Sequence, residues 1–231
     1  MKLKDKIQEI SDESLNSIFF NIEFLIFTKK WIDKNSTKNK DIEKEIKKVF
    51  ENINDTTPYF NKTSYKENLN SLIFISNYSI FEDRLSKIFY ESYSEKKIDF
   101  PGDCNIDLKT IKNEPDIDKR RKEKIEQYIL SKSYERKKKR LKDLKLFRKI
   151  PNKSTNVNEE IINEISLCRN CLIHNRRKVN KVYLNEVHKK YLRRTNLNEE
   201  ITITDKILYE ATNNLCKYII DTTKFFLSIK K

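Results

Sequence analysis

Arg169-Asn170-Cys171-Leu172-Ile173-His174-Asn175 gathers a fixed cation, a proton-transfer group and two amide side chains into one short window. An imidazole can take a proton from a ribose 2′-hydroxyl near neutral pH. A guanidinium can hold a phosphate and the charge that develops on it. Together they are the minimum equipment for cutting RNA without a metal. Three cations, Arg176, Arg177 and Lys178, follow at once, and His174 is one of only two histidines in the chain.

The elements around this window read as helices. Ile161, Ile165, Cys168 and Leu172 step by four, three and four, the seam of a helix over 157–174. Asn175 is placed to end it as a left-handed cap. Residues five apart on an ideal helix lie about 140° apart. Arg169 and His174 therefore share a face only if the helix ends early, or act together only across a subunit boundary. A two-fold dimer through the 157–175 helix would set two Arg–His pairs around one phosphate and supply both a base and an acid.

Elsewhere the same periodicity predicts helices over 4–32, 40–53, 64–93, 119–150, about 181–190 and 204–229. In the first, Ile18, Ile22, Leu25 and Ile26 make a stripe widened by Phe19 and Phe20. In the third, Leu69, Leu72, Ile73, Ser76, Ile80, Leu85, Ile88 and Phe89 recur at three- and four-residue steps. The last helix turns Ile207, Leu208, Ala211, Leu215, Ile219 and Phe226 inward, after an extended Ile201-Thr202-Ile203. Residues 98–118 hold Pro101-Gly102 and Pro115 and read as a loop.

One Gly and four Pro in 231 residues argue against a turn-rich β protein, and the fold class expected is all-α. The single Gly also excludes Gly-rich phosphate loops. The net charge of +14 is concentrated: residues 119–150 carry +11 and residues 169–194 carry +8, leaving −5 over the rest. Two basic blocks on a slightly acidic remainder suggest a surface for a polyanion. Lys137, Lys138, Lys139 and Arg140 in the first block, with Arg176, Arg177 and Lys178 in the second, are the candidate RNA-binding residues. Tyr183 and Tyr191 interleave with cations and either stack on bases or pack at an edge. Four cysteines are too few for a disulfide framework. The apolar run from Leu15 to Phe27 is short and polar-interrupted, so it reads as a core helix and not a membrane span. No signal peptide precedes the first helix, and a cytoplasmic protein with no membrane association is expected.

The segment Leu167-Cys-Arg-Asn-Cys-Leu-Ile-His-Asn175 resembles the signature of HEPN domains, an Arg, four to six residues and a His, with a polar residue after the Arg. Tyr78-Ser-Ile-Phe81-Glu82-Asp83-Arg84-Leu85 resembles the early helix of the same family. The resemblance covers roughly residues 64–229, within a HEPN-like domain expected over 61–231, and leaves residues 1–60 as an added N-terminal helical layer. It implies an antiparallel helical bundle, a homodimer with facing motif helices and a metal-independent endoribonuclease. It implies Arg169 and His174 as the catalytic pair, Asn170 and Asn175 as supporting residues, and Glu82 as an acid facing the motif helix. It implies no cofactor, RNA as substrate, and a toxin or antiviral defence role under an antitoxin or other regulator. Three other readings stay open. One is a non-catalytic module that binds RNA or a partner. Another is a DNA-binding regulator, though no helix-turn-helix pattern is evident. The third is a zinc site on Cys168-x-x-Cys171-x-x-His174 completed by Cys104 or Cys216.

Overall fold

The computed structural model describes residues 3–35, 62–94, 116–134 and 159–228. These form α1 (Leu3–Asn35), α2 (Lys62–Ser94), α3 (Ile117–Tyr134), α4 (Glu159–His174), α5 (Lys181–Glu186), a 3-10 turn (Lys189–Tyr191) and α6 (Asp205–Ser228). The all-helical expectation holds, and the only sheet-like pairing among the described residues is an isolated bridge between Lys178 and Glu200. The helices expected at 40–53 and beyond residue 134 lie outside the described residues.

Helix α2 is the axis of the fold, packed against α1, α3, α4 and α6. Its cross-links give the direction of each neighbour. Lys6 pairs with Glu91, Glu13 with Arg84, Asn21 with Ser76 and Asn77, and Asp33 with Lys66. The numbers rise on α1 as they fall on α2, so these two helices are antiparallel. On the other flank Asn70 binds Asp205, Asn77 binds Thr212, Phe81 meets Tyr218 and Phe89 meets Phe226. Here both numbers rise, so α6 runs parallel to α2.

The α1 core face is Ile7, Ser11, Ser14, Ile18, Leu25 and Ile32, a seven-residue period on one side of the helix. Ser11 and Ser14 are small enough to let the partner helix come close, and Ser14 returns its hydroxyl to the Ile10 carbonyl at 2.6 Å. The sequence stripe is corrected here. Ile18 and Leu25 are buried and Ile22 is half-buried, but Phe19, Phe20 and Ile26 face outward. On α2, Leu72 likewise faces outward while Leu69, Ile73, Leu85, Ile88 and Phe89 fill the core. In α6, Leu208, Ala211, Leu215, Ile219 and Phe226 are buried as the periodicity predicts, and Ile207 is half-buried.

Helix α4 is enclosed along its middle: every residue from Ile162 to Cys168 is buried. It packs on α2 and α6 and is covered by α5 and the 3-10 turn. A helix wrapped in this way presents only its end to the outside, and that end carries the Arg169–His174 window.

Candidate functional site

Helix α4 continues through His174, so the early stop that would have let Arg169 and His174 share a face does not occur. The two side chains project about 140° apart on one chain. Arg169 is half-buried, and its Nη1 donates to Asn170 Oδ1 at 3.1 Å. Its Nε is buried and has no hydrogen-bond partner. A buried guanidinium N–H without an acceptor is costly, and an incoming oxygen would relieve it. His174 and Ile173 are exposed on the last turn.

The chain leaves α4 through a tight reversal. Cys171 O accepts from the backbone N–H groups of Asn175 and Arg177, each at 3.1 Å. Asn175 is not the left-handed residue that the sequence suggested. Arg176 (φ 49°) and Arg177 (φ 64°) adopt that conformation instead. Asn175 works through its side chain, whose Nδ2 donates to Lys178 O at 2.6 Å. Beyond the reversal, Val179 is fully buried and the strand-like segment is stitched by Val179 N to Glu199 O (2.9 Å) and Ile201 N to Arg177 O (2.7 Å). Left-handed geometry costs a non-glycine residue about 1 kcal/mol. Arg176→Gly is therefore expected to raise the melting temperature by a few degrees, which differential scanning calorimetry would read.

The basic turn divides by role. Arg176 and Lys178 are exposed. Arg177 is half-buried, donates to Asn68 Oδ1 on α2 and lies 3.7 Å from Glu200, so it fastens the end of α4 to the N-terminal part of α2. Lys137, Lys138, Lys139 and Arg140 lie outside the described residues. Tyr183 is 1 % exposed, so of the two interleaved tyrosines it cannot stack on a base. Tyr191 is half-buried beside His188 and under the Lys190 ammonium. Glu82 is half-buried on α2, one of the helices against which α4 packs.

Sequence reasoning missed the charged cluster that fixes α4. Glu164, 1 % exposed, accepts from Tyr183 Oη at 2.9 Å and from Arg193 Nε at 2.9 Å, one partner per carboxylate oxygen. Arg193 N donates to Tyr183 Oη at 3.2 Å, and Arg193 also reaches Glu210 on α6 at 3.5 Å. Burial pushes the Glu164 carboxyl above its ordinary value of 4.5 against the pull of Arg193 and Tyr183. Burial acts against the Arg193 charge, yet Glu164 leaves that guanidinium holding its proton more tightly than usual. The one legible signal was an acid inside the apolar run Ile161-Ile162-Asn163-Glu164-Ile165.

Cys168 is a core residue whose thiol burial pushes well above its ordinary range, and Cys171 is buried with its thiol raised for the same reason. Among the described residues no group of three His, Cys, Asp or Glu side chains could hold a metal ion, and Cys104 lies outside them. Burial also raises the Cys216 thiol to about 11. Peptide-resolved alkylation with iodoacetamide at pH 8 is expected to leave Cys168 and Cys171 unmodified until denaturant is added. Rapid labelling of either in the native protein would contradict their placement.

No helix among the described residues is long and apolar enough to cross a membrane. The chain matches no protein-family model, no curated protein and no solved structure.

Proposed function

We propose that this chain is a HEPN-type, metal-independent endoribonuclease whose site is built at the exposed end of α4 from two copies of the chain. The observation that carries the reading is the buried, unpartnered Nε–H of Arg169 on the turn that precedes exposed His174. That donor suits a non-bridging phosphate oxygen, and Asn170 holds the guanidinium from its other side. His174 of one copy takes the 2′-hydroxyl proton as the 2′-oxygen attacks phosphorus. The bond to the 5′-oxygen breaks, and that oxygen receives its proton from His174 of the second copy. The products are a 2′,3′-cyclic phosphate and a 5′-hydroxyl. Exposed Arg176 and Lys178 lie on the approach and draw in the RNA backbone. The 2′-hydroxyl requirement selects RNA over DNA. The resemblance at Arg169–His174 places such an enzyme among toxins and antiviral defence effectors, held in check by an antitoxin or similar regulator.

A dimer of this kind rests on the last turn of α4, where Ile173 and His174 are exposed, since the helix middle is enclosed within its own chain. Cleavage of end-labelled RNA in EDTA, by the native chain and by His174→Ala, tests the reading. Cyclic-phosphate ends from the native chain alone support it. A second reading, a helical module that binds RNA or a partner without cutting it, is favoured by the divergence of Arg169 and His174 on one continuous helix. Salt-sensitive binding with RNA left intact would establish that reading instead.

A further inference from the structure

Helix α1 has two apolar faces, and only one of them lies in the core. Phe20, Phe24, Phe27 and Trp31 step by four, three and four, and they are 67 %, 50 %, 70 % and 49 % exposed. This is the spacing of a helix–helix seam. It lies about 130° around α1 from Ile18, Leu25 and Ile32. Phe19 and Ile26 are also exposed, but they lie farther round the helix, beyond Glu23 and Lys30. Scattered exposed hydrophobics are ordinary on a protein surface, but a contiguous aromatic stripe marks an interaction site.

We infer that this stripe is a self-association surface, on which α1 of a second copy docks antiparallel. Area is the first argument. A Phe or Trp side chain carries on the order of 150–250 Å². At the observed exposures the four stripe residues offer roughly 500 Å² per chain. Two copies then cover roughly 1,000 Å², about the lower threshold for a specific interface. Charge is the second argument. Glu23 and Lys30 are both exposed and border the stripe on the same flank, seven residues apart. In an antiparallel pair centred between Leu25 and Ile26, Phe24 meets Phe27 of the second copy and Phe20 meets its Trp31. Glu23 then faces Lys30 of the second copy, and the pairing occurs twice. In a parallel pair the same two charges face Thr28 and other uncharged positions of the opposite flank.

The same charges weigh against a lipid surface. Binding to anionic headgroups needs a cationic border. Within α1, five Lys are set against six Asp and Glu, although the chain as a whole carries +14. The seam and the end of α4 lie on different helices, which both pack on α2 and α6 but have no extensive contact with each other. A chain using both surfaces would assemble as a tetramer with two kinds of two-fold contact.

Sedimentation equilibrium of the full chain between 1 and 100 μM tests this. Association through α1 is expected at micromolar concentration or below, giving dimers by this seam alone and tetramers where the α4 contact forms as well. Phe27→Glu and Phe24→Glu should each raise the dissociation constant at least 100-fold with unchanged helical circular dichroism. Glu23→Lys and Lys30→Glu should each raise it several-fold, and the double exchange should restore it. That restoration separates a seam from mere loss of apolar surface. A monomer at 100 μM overturns the proposal. If in that monomer Phe27→Glu lowers thermal stability, the face belongs to the chain's own remaining residues. A dimer indifferent to all four substitutions also overturns it, as does binding of the monomer to phosphatidylserine vesicles. The response to the α1 substitutions separates this seam from the α4 contact that the ribonuclease reading requires: loss of association in the Phe variants concerns the seam alone, and loss of cleavage in His174→Ala concerns the α4 site alone.

Discussion

His174→Ala is expected to reduce RNA cleavage by about 10²- to 10⁴-fold, the contribution of a positioned general acid or base, without loss of stability. The side chain is exposed on the last turn of α4, outside the core packing. Removing it should therefore delete the proposed proton transfer and little else. RNA affinity should stay within a few-fold of native, because Arg176 and Lys178 remain. Arg169→Lys is the companion test. It keeps a positive charge and loses the planar fork that holds Asn170 on one side and offers a buried Nε–H on the other. Cleavage should fall at least tenfold while binding persists. Because the two residues diverge on one helix, a mixture of inactive His174→Ala and Arg169→Lys chains carries a further consequence. Mixed dimers would contain one intact histidine and one intact arginine, and because the proposed step draws its base and its acid from the two histidines, mixing should not restore native cleavage. Equal cleavage by native and His174→Ala proteins would remove His174 from the mechanism.

Arg193→Ala is expected to lower stability by about 3–5 kcal/mol, the cost of leaving a buried charge without its partner. Stability of the native fold is itself only on the order of 5–15 kcal/mol, so the variant would unfold at a much lower urea concentration. Glu164 is the stranded group. It sits at 1 % exposure on the most enclosed stretch of α4 and would keep only the Tyr183 hydroxyl. The pH dependence follows from the raised Glu164 value. The folded chain binds this proton more tightly than the unfolded chain, whose carboxyl titrates near 4.5. The associated stability is fully present below 4.5 and is lost as pH rises through the folded value. With Arg193 gone, the strongest attraction opposing burial is gone, so that window widens upward. The deficit of Arg193→Ala against native should shrink as pH falls toward 4.5 and be largest at neutral pH and above. Replacing both members, Glu164→Leu with Arg193→Met, should recover most of the loss, because an apolar pair needs no compensation. A deficit that stays constant with pH would mean that Glu164 is not the residue left unpaired.

The helices themselves could be read from the chain alone. Windows of 4–32, 64–93, 157–174 and 204–229 became Leu3–Asn35, Lys62–Ser94, Glu159–His174 and Asp205–Ser228. Helix formation is mostly a local matter: a three- and four-residue apolar rhythm, good helix formers and few breakers decide it within a few turns. The same local view recognised the Arg169–His174 window and the unusual acid-free run of cations after it. What tertiary structure decided is orientation and pairing. Helix α1 carries apolar residues on two sides, and periodicity has no means of ranking them. Contact with α2 and α6 draws Ile18 and Leu25 inward and leaves Phe20, Phe24, Phe27 and Trp31 outside. Leu72 fits the rhythm of α2 but stands outside for the same reason. Tyr183 looked like part of a basic surface until α5 laid it on Glu164, nineteen residues earlier, where Arg193 completes the cluster. The left-handed positions fell to Arg176 and Arg177 because the chain must turn back to pair with residues 198–201. That constraint comes from a distant segment and not from the residue that bears it. Local sequence sets which segments coil, whereas burial and ion pairing depend on partners far along the chain, and those exist only once the helices have packed.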